Sequence, residues 1–152
     1  MKILVATDGS EFGRAAVKKC CEFAGRPEKV SVMVISVYEP QGVIAPEPFA
    51  ISGEYYRQMS ELAEQNARDA ADQSLRLIAA ECPNANLETT SIVELGRPAE
   101  VILRAARAWN ADLIILGSHG RGFWGRLTLG SVSDAVVHHA KCSVLIVKGG
   151  EE

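Results

Sequence analysis

What this chain lacks narrows its function first. No window approaches the roughly 18 consecutive apolar residues that a membrane-spanning helix needs. Basic residues are not in excess: 16 Lys and Arg stand against 19 Asp and Glu, for a formal net charge of -3. That balance provides no electrostatic footprint for nonspecific nucleic-acid binding. Cysteine is sparse, with Cys20, Cys21, Cys82 and Cys142 forming no C-x-x-C pair and no Cys/His spacing suited to zinc. Cys20 and Cys21 are neighbours in a helical pattern and point to different sides. All four are expected as reduced thiols, partly in the core, which suits the cytoplasm. The opening Met1-Lys2-Ile3-Leu4-Val5-Ala6-Thr7 meets Asp8 too soon for a secretory signal and reads as a core strand. There is no internal repeat, no low-complexity tract, and no G-x-x-x-x-G-K-[ST], so the chain is not a P-loop protein.

What is present is the composition of a globular domain. The 152 residues are 47% hydrophobic and 23% charged, enough for one domain over 1–152 with a substantial core. Apolar strand-like runs and helical patterns alternate five times. Strands are expected at Lys2–Thr7, Val30–Val37, Leu87–Val93, Ala111–Gly117 and Ser143–Lys148. Helices are expected from Ser10 to Ala24, Glu54 to Cys82 (ended by Pro83), Arg97 to Trp109 (with Pro98 at the first helical position) and Ser131 to Ala140. The third strand is the most polar and is expected at an edge, whereas the fourth, Ala-Asp-Leu-Ile-Ile-Leu-Gly, is expected inside the sheet. Strands separated by helices form parallel βαβ units with right-handed crossovers, here an α/β doubly wound five-stranded sheet with helices on both faces. Such sheets bind ligands beyond the carboxyl ends of their strands, where strand order reverses. The ends to inspect are Thr7-Asp8-Gly9, Val37-Tyr38 and Gly117-Ser118. One stretch breaks the rhythm. Between Tyr38 and Gly53 lie Pro40, Gly42, Pro46 and Pro48, a long connection that reads either as a lid or contact or as a plain surface excursion.

The most informative segment runs from Gly117 through His119, Gly120, Arg121, Gly122, Phe123, Trp124, Gly125 and Arg126 to Gly130 and Ser131. It leaves a buried strand and ends at a helix start. Glycines let backbone amides approach an oxyanion closely and permit positive φ. The helix start adds unpaired N–H groups and the positive end of a dipole, and Ser131 and Ser133 add hydroxyls. The combination suits a triphosphate. The alternative is structural: Ser131-Val132-Ser133-Asp134 matches a capping box, so Ser131 could serve its helix alone. Gly120-x-Gly122-x-x-Gly125 matches the dinucleotide fingerprint formally, but it sits in the last βα unit and no acidic residue follows at about 20 residues.

The spacing Gly117-x2-Gly120-x9-Gly130-Ser131 resembles, without a gap, the G-2x-G-9x-G-[ST] signature of the ATP-binding branch of the universal stress proteins. The resemblance extends over nearly the whole chain. It takes in Ile3-Leu4-Val5-Ala6-Thr7-Asp8-Gly9-Ser10, Val34-Ile35-Ser36-Val37, Gly96-Arg97-Pro98, Ala111–Gly120 and Cys142-Ser143-Val144-Leu145-Ile146-Val147. It implies strand order 3-2-1-4-5, the adenine nucleotide alpha-hydrolase-like arrangement, and a homodimer joined through Ser143–Lys148. It also implies roles by position. Asp8 holds ribose hydroxyls, with Ala6 and Thr7 lining that side, and the Val37 backbone meets adenine. Gly117, His119, Gly120, Gly130, Ser131, Val132 and Ser133 surround ribose and phosphates, and Leu116 belongs to the same cofactor site. Mg2+ travels with ATP on the phosphates, and no residue is assigned as a protein metal ligand. Ser36 stands where many relatives carry histidine, a departure expected beside the base.

Other residues stay open. Asp8 could instead cap a helix or make a turn with Gly9 and Ser10. His138 and His139 suit a helix C-terminus better than a metal. Arg121 and Arg126 either reach phosphates or solvate the loop; Phe123 and Trp124 either cover core or meet a partner. The resemblance implies an ATP-binding regulatory protein of stress physiology. The alternatives are a slow ATPase or nucleotidyl-transfer enzyme, and a sensor of AMP or cyclic AMP. No residue is assigned as catalytic, since the loop carries neither a carboxylate cluster nor a positioned base.

Overall fold

The alternation of strand and helix in the sequence becomes a three-layer arrangement. The computed structural model describes residues 1–23, 29–39, 53–83, 86–120 and 129–149. The order is β1 (Lys2–Ala6), α1 (Glu11–Cys20), a single 3-10 turn (Cys21–Phe23), β2 (Val30–Tyr38), α2 (Gly53–Glu81), β3 (Leu87–Leu95), α3 (Pro98–Trp109), β4 (Leu113–Gly117), α4 (Ser131–His139) and β5 (Ser143–Val147). All strand pairs are parallel and the sheet runs β3-β2-β1-β4-β5, so the expected topology holds. β3 and β5 occupy the edges, and β4 is buried at every residue. Arg121, Gly122, Phe123, Trp124, Gly125 and Arg126, together with residues 40–52, lie outside the described residues.

Period-two alternation divides the core. Ile3 and Val5 of β1, Val30, Val32 and Val34 of β2, and Leu113 and Ile115 of β4 face α1 and α2, where Ala16, Val17, Cys20, Ala71 and Ile78 meet them. Leu4 and Ala6, Ile35, and Ile114 and Leu116 face α3 and α4, where Val101, Ile102, Ala105, Ala106 and Val136 close the second core. Burial of both sheet faces explains why β1 and β4 read as continuous apolar runs.

Local chemistry sets the helix ends. Ser10 caps α1, its Oγ accepting from Gly13 N at 3.1 Å. Glu11 sits in the first turn, with Lys18 and Lys19 in the last, each complementing the helix dipole. Pro98 opens α3, and Asn110 closes it at φ 55° in the left-handed region. Gly96, at φ 142°, makes the β3–α3 turn, where a Cβ would also lie 2.9 Å from Val101 Cγ2.

One expectation is corrected. Cys21 and Cys82 are not free thiols: they form a disulfide with a Cα–Cα separation of 5.9 Å. Both follow the last residue of a helix, α1 and α2 lie side by side on one face, and 61 positions separate them in sequence. Local patterns carry no trace of that proximity. Cys20 and Cys142 are the free cysteines. The structural alternative for Ser131 does not hold either: it does not cap α4. Gly130 occupies the cap position, with no side-chain hydrogen bond there, and Ser131 is the first helical residue.

Candidate functional site

The sheet reverses direction between β1 and β4: the chain moves outward through β2 and β3, then returns to the other side of β1. Beyond the carboxyl ends at that point lies a cavity of about 400 Å³, within the range of small-molecule sites. Its floor follows from register. Ala6 pairs with Ile35 on one side and Leu116 on the other, a row across three strands facing α3. Val37 extends it two residues along β2, and Pro98 and Ile102 of α3 wall it. The side chain at its centre is alanine, which keeps the floor low.

The opposite end is polar. Asp8 makes the turn with Ser10 that the sequence allowed: its Oδ1 accepts from Ser10 N at 2.9 Å. Its Oδ2 points across toward Gly120, where a Cβ would lie 3.0 Å away. The Thr7 amide donates to Ile35 O at 3.0 Å, and its hydroxyl accepts from Gly9 N at 3.2 Å. On the facing wall, Gly130 N donates to Ser118 O at 2.8 Å and Ser133 Oγ to Gly117 O at 2.7 Å. These two bonds fasten the start of α4 to the end of β4. The first bond of the α4 ladder runs from Asp134 N to Gly130 O, so the amides of Ser131, Val132 and Ser133 precede the ladder and carry the positive end of the dipole.

Space, not backbone conformation, is what the described loop glycines supply. Neither Gly117, Gly120 nor Gly130 has a positive φ; among the described glycines only Gly9 and Gly96 do. A Cβ on Gly117 would lie 2.6 Å from Phe12 Cβ, and one on Gly130 would lie 3.3 Å from Ser118 O and 3.4 Å from His119 Cα. Gly13, on the first turns of α1, is equally confined: a Cβ there would lie 2.8 Å from Thr7 Oγ1 and 3.0 Å from Asp8 Oδ1. His119 is half-buried, with Nδ1 3.1 Å from Ser118 Oγ and its ring against Phe12.

Ala6, Thr7, Asp8, Val37, Leu116, Gly117, His119, Gly120, Gly130, Ser131, Val132 and Ser133, assigned from sequence resemblance, all line this one cavity. Ser36 does not: it is buried on the strand face opposite Ile35 and Val37, so its departure from histidine is not beside the cavity. The sequence assignment missed Gly13, Ile35, Pro98 and Ile102, which also line it. The first turn of α3 follows the carboxyl end of β3, so a helix crossing back over the sheet at that point was the available signal for Pro98 and Ile102. Just outside, Tyr38 ends β2 against α2. Partial desolvation and the Glu64 carboxylate push its phenol up, while the Arg68 hydrogen bond holds Glu64 below the usual carboxylate range.

With that geometry in place, comparison with known proteins is informative. The model of the Universal stress protein family matches residues 1–148. A relative from Thermus aquaticus, a universal stress protein in a QAH/OAS sulfhydrylase 3'region, is 36% identical over 148 residues, covering 96% of this chain and 97% of its own. The structure of hypothetical protein MJ0577 superposes with a TM-score of 0.77 at 25% identity, covering 99% and 97% of the two chains. A universal stress protein solved in complex with cAMP gives a TM-score of 0.64 at 25% identity, covering 99% and 98%.

Proposed function

Because the chain belongs to the universal stress protein family, we propose that the cavity binds an adenine nucleotide, ATP, and that the protein is a nucleotide-dependent regulator in the stress response. One observation carries this reading. A single cavity joins a flat apolar floor, Ile35–Ala6–Leu116 with Ile102 above it, to a polar rim at the start of α4. A purine ring suits the floor. The Asp8 carboxylate suits ribose hydroxyls, and the amides of Ser131, Val132 and Ser133 suit phosphate oxygens. The fit to phosphate rests on Gly120 and Gly130, which line the cavity and add no side chain to it. Mg2+ would arrive on the phosphates. The cAMP complex of a relative supports the adenine part of the reading and leaves the phosphate count to experiment.

On this reading residues 1–152 are one universal stress protein domain in the cytoplasm, where ATP is available. No helix among the described residues is long and apolar enough to cross a membrane. β5 ends the sheet with an apolar, partly exposed edge, and such an edge invites pairing with a second copy through Ser143–Lys148. Sedimentation should find a dimer, and a monomer at high concentration would remove that part of the proposal.

The decisive experiment is calorimetric titration of ATP, AMP and cAMP into the full chain, with a hydrolysis assay alongside. The expected result is one ATP per chain with slow turnover. Binding of AMP or cAMP in preference to ATP would make the protein a sensor of that nucleotide. Turnover many times per second would make it an enzyme. No binding of any adenine nucleotide would overturn the reading.

A further inference from the structure

The Cys21–Cys82 bond lies at the end of the molecule opposite the cavity. α1 begins beside the carboxyl end of β1 and α2 ends just before the start of β3, so both helices finish at the amino-terminal edge of the sheet. Cys21 is the C-cap of α1, its N–H donating to Lys18 O and Lys19 O. Cys82 N donates to Ile78 O at 2.9 Å, prolonging the α2 ladder by one residue. The bond therefore joins two helix C-termini directly. Lys18 and Glu81, 3.7 Å apart, bridge the same two helices beside it.

Three features separate this bond from a permanent staple. Both cysteines are partly exposed, so a small thiol has access. The helices also have a second attachment: Ala16, Val17, Cys20, Ala71 and Ile78, each at most 2% exposed, pack into one core beneath the bond. Opening it need not release either helix. Finally, the neighbouring thiol does not compete. Cys20 is fully buried in that core, and burial pushes it up to about 11, so at neutral pH it stays protonated and is a poor nucleophile.

We propose that Cys21 and Cys82 are a reversible thiol–disulfide site, closed under oxidising conditions to clamp α1 to α2 and opened by an external dithiol without unfolding the domain. In the opening step a thiolate of the dithiol attacks one sulfur of the pair. The S–S bond breaks, and the other cysteine leaves as a thiolate that takes a proton. The second thiol of the reductant then resolves the mixed disulfide. Cys21 and Cys82 end as two thiols and the dithiol as a cyclic disulfide, a two-electron exchange in balance. In a reducing compartment a disulfide persists mainly as a transient or sensing bond, and that is the role this pair fits. Closure constrains the unfolded chain across 61 positions, so the oxidised form is the more heat-resistant one, with a melting temperature higher by about 10 °C.

The test uses the full chain equilibrated in glutathione buffers of graded oxidation, then trapped with maleimide and weighed. The expected result is one cooperative two-thiol transition, with native far-ultraviolet circular dichroism at both ends and the Cys21–Cys82 link in the peptide map. Cys20→Ser should keep the transition. Cys21→Ser and Cys82→Ser should each abolish it and melt like the reduced protein in every buffer. Four reactive thiols in denatured protein taken from the most oxidising buffer would overturn the proposal. So would a bond that resists dithiothreitol until denaturant is added, or a map that pairs Cys20 with either partner.

Discussion

The ring of Phe12 lies 5.4 Å from that of His119, inclined by 56°. The same residue presses its Cβ against Gly117, while its ring edge lies on Gly149, where a Cβ would be 2.8 Å from Cε1. One side chain at the start of α1 thus touches the end of β4, the first residues of the glycine-rich loop and the chain leaving β5.

Phe12→Ala should therefore loosen the cavity wall. The half-buried ring makes a stability loss of about 1–3 kcal/mol reasonable, below that of a fully buried phenylalanine. ATP affinity should fall several-fold as His119 loses its ring contact. Phe12→Tyr should retain most of both. Thermal melts and calorimetry on the two variants, read side by side, check this; equal affinity for Phe12→Ala and wild type would mean the contact does not shape the site.

Gly117→Ala and Gly130→Asp separate packing from binding. The first puts a methyl 2.6 Å from Phe12 Cβ and 2.7 Å from its backbone carbon, so it should destabilise by about 1–3 kcal/mol whether or not nucleotide is present. The second changes a cavity-lining residue at the start of α4 and should leave circular dichroism unchanged while abolishing ATP binding, because a carboxylate beside the amides of Ser131, Val132 and Ser133 would repel the phosphates. Undiminished affinity in Gly130→Asp would place the phosphates elsewhere.

Ser133→Ala and Ser131→Ala should differ. Ser133 is 3% exposed and donates to Gly117 O at 2.7 Å. Removing its hydroxyl strips a buried carbonyl of a partner, for about 1–3 kcal/mol. Ser131 is exposed and does not cap α4, so its loss should cost no more than about 0.5 kcal/mol. Denaturant titration of both variants gives the comparison, and equal losses would contradict it.

Cys20 predicts an alkaline limit to stability. Its thiol, ordinarily near 9, is pushed up to about 11 by burial. Above 9 the unfolded chain releases this proton while the folded chain keeps it, so stability falls with rising pH and the fall levels off near 11. The full loss is on the order of 2–3 kcal/mol. Unfolding measured between pH 8 and 11 should be steeper in wild type than in Cys20→Ala, and parallel curves would refute the assignment.

Much of this molecule was legible in its residues because the determinants are local. Val30–Val37 and Leu113–Gly117 are strands by composition alone. Pro98 and Ser10 mark helix starts through groups within four residues, and the glycine spacing from 117 to 131 identified the loop. What local patterns could not carry was decided by chain segments meeting across the sheet. The spacing left open whether Ser131 caps its helix; in the fold Gly130, fastened through its N–H to Ser118 O, holds the cap position. Glycine spacing alone did not say whether the loop needs positive φ or space; at Gly117 and Gly120 it is space, because Phe12 and Asp8 arrive there from another segment. Ile102 looked like ordinary core until α3 crossed over the ends of β1 and β2. Cys21 and Cys82, 61 positions apart, became partners only because two helices packed against one sheet face stop at the same edge. Sequence determines what each segment prefers within a few residues; which distant segments touch depends on burying both faces of one sheet at once.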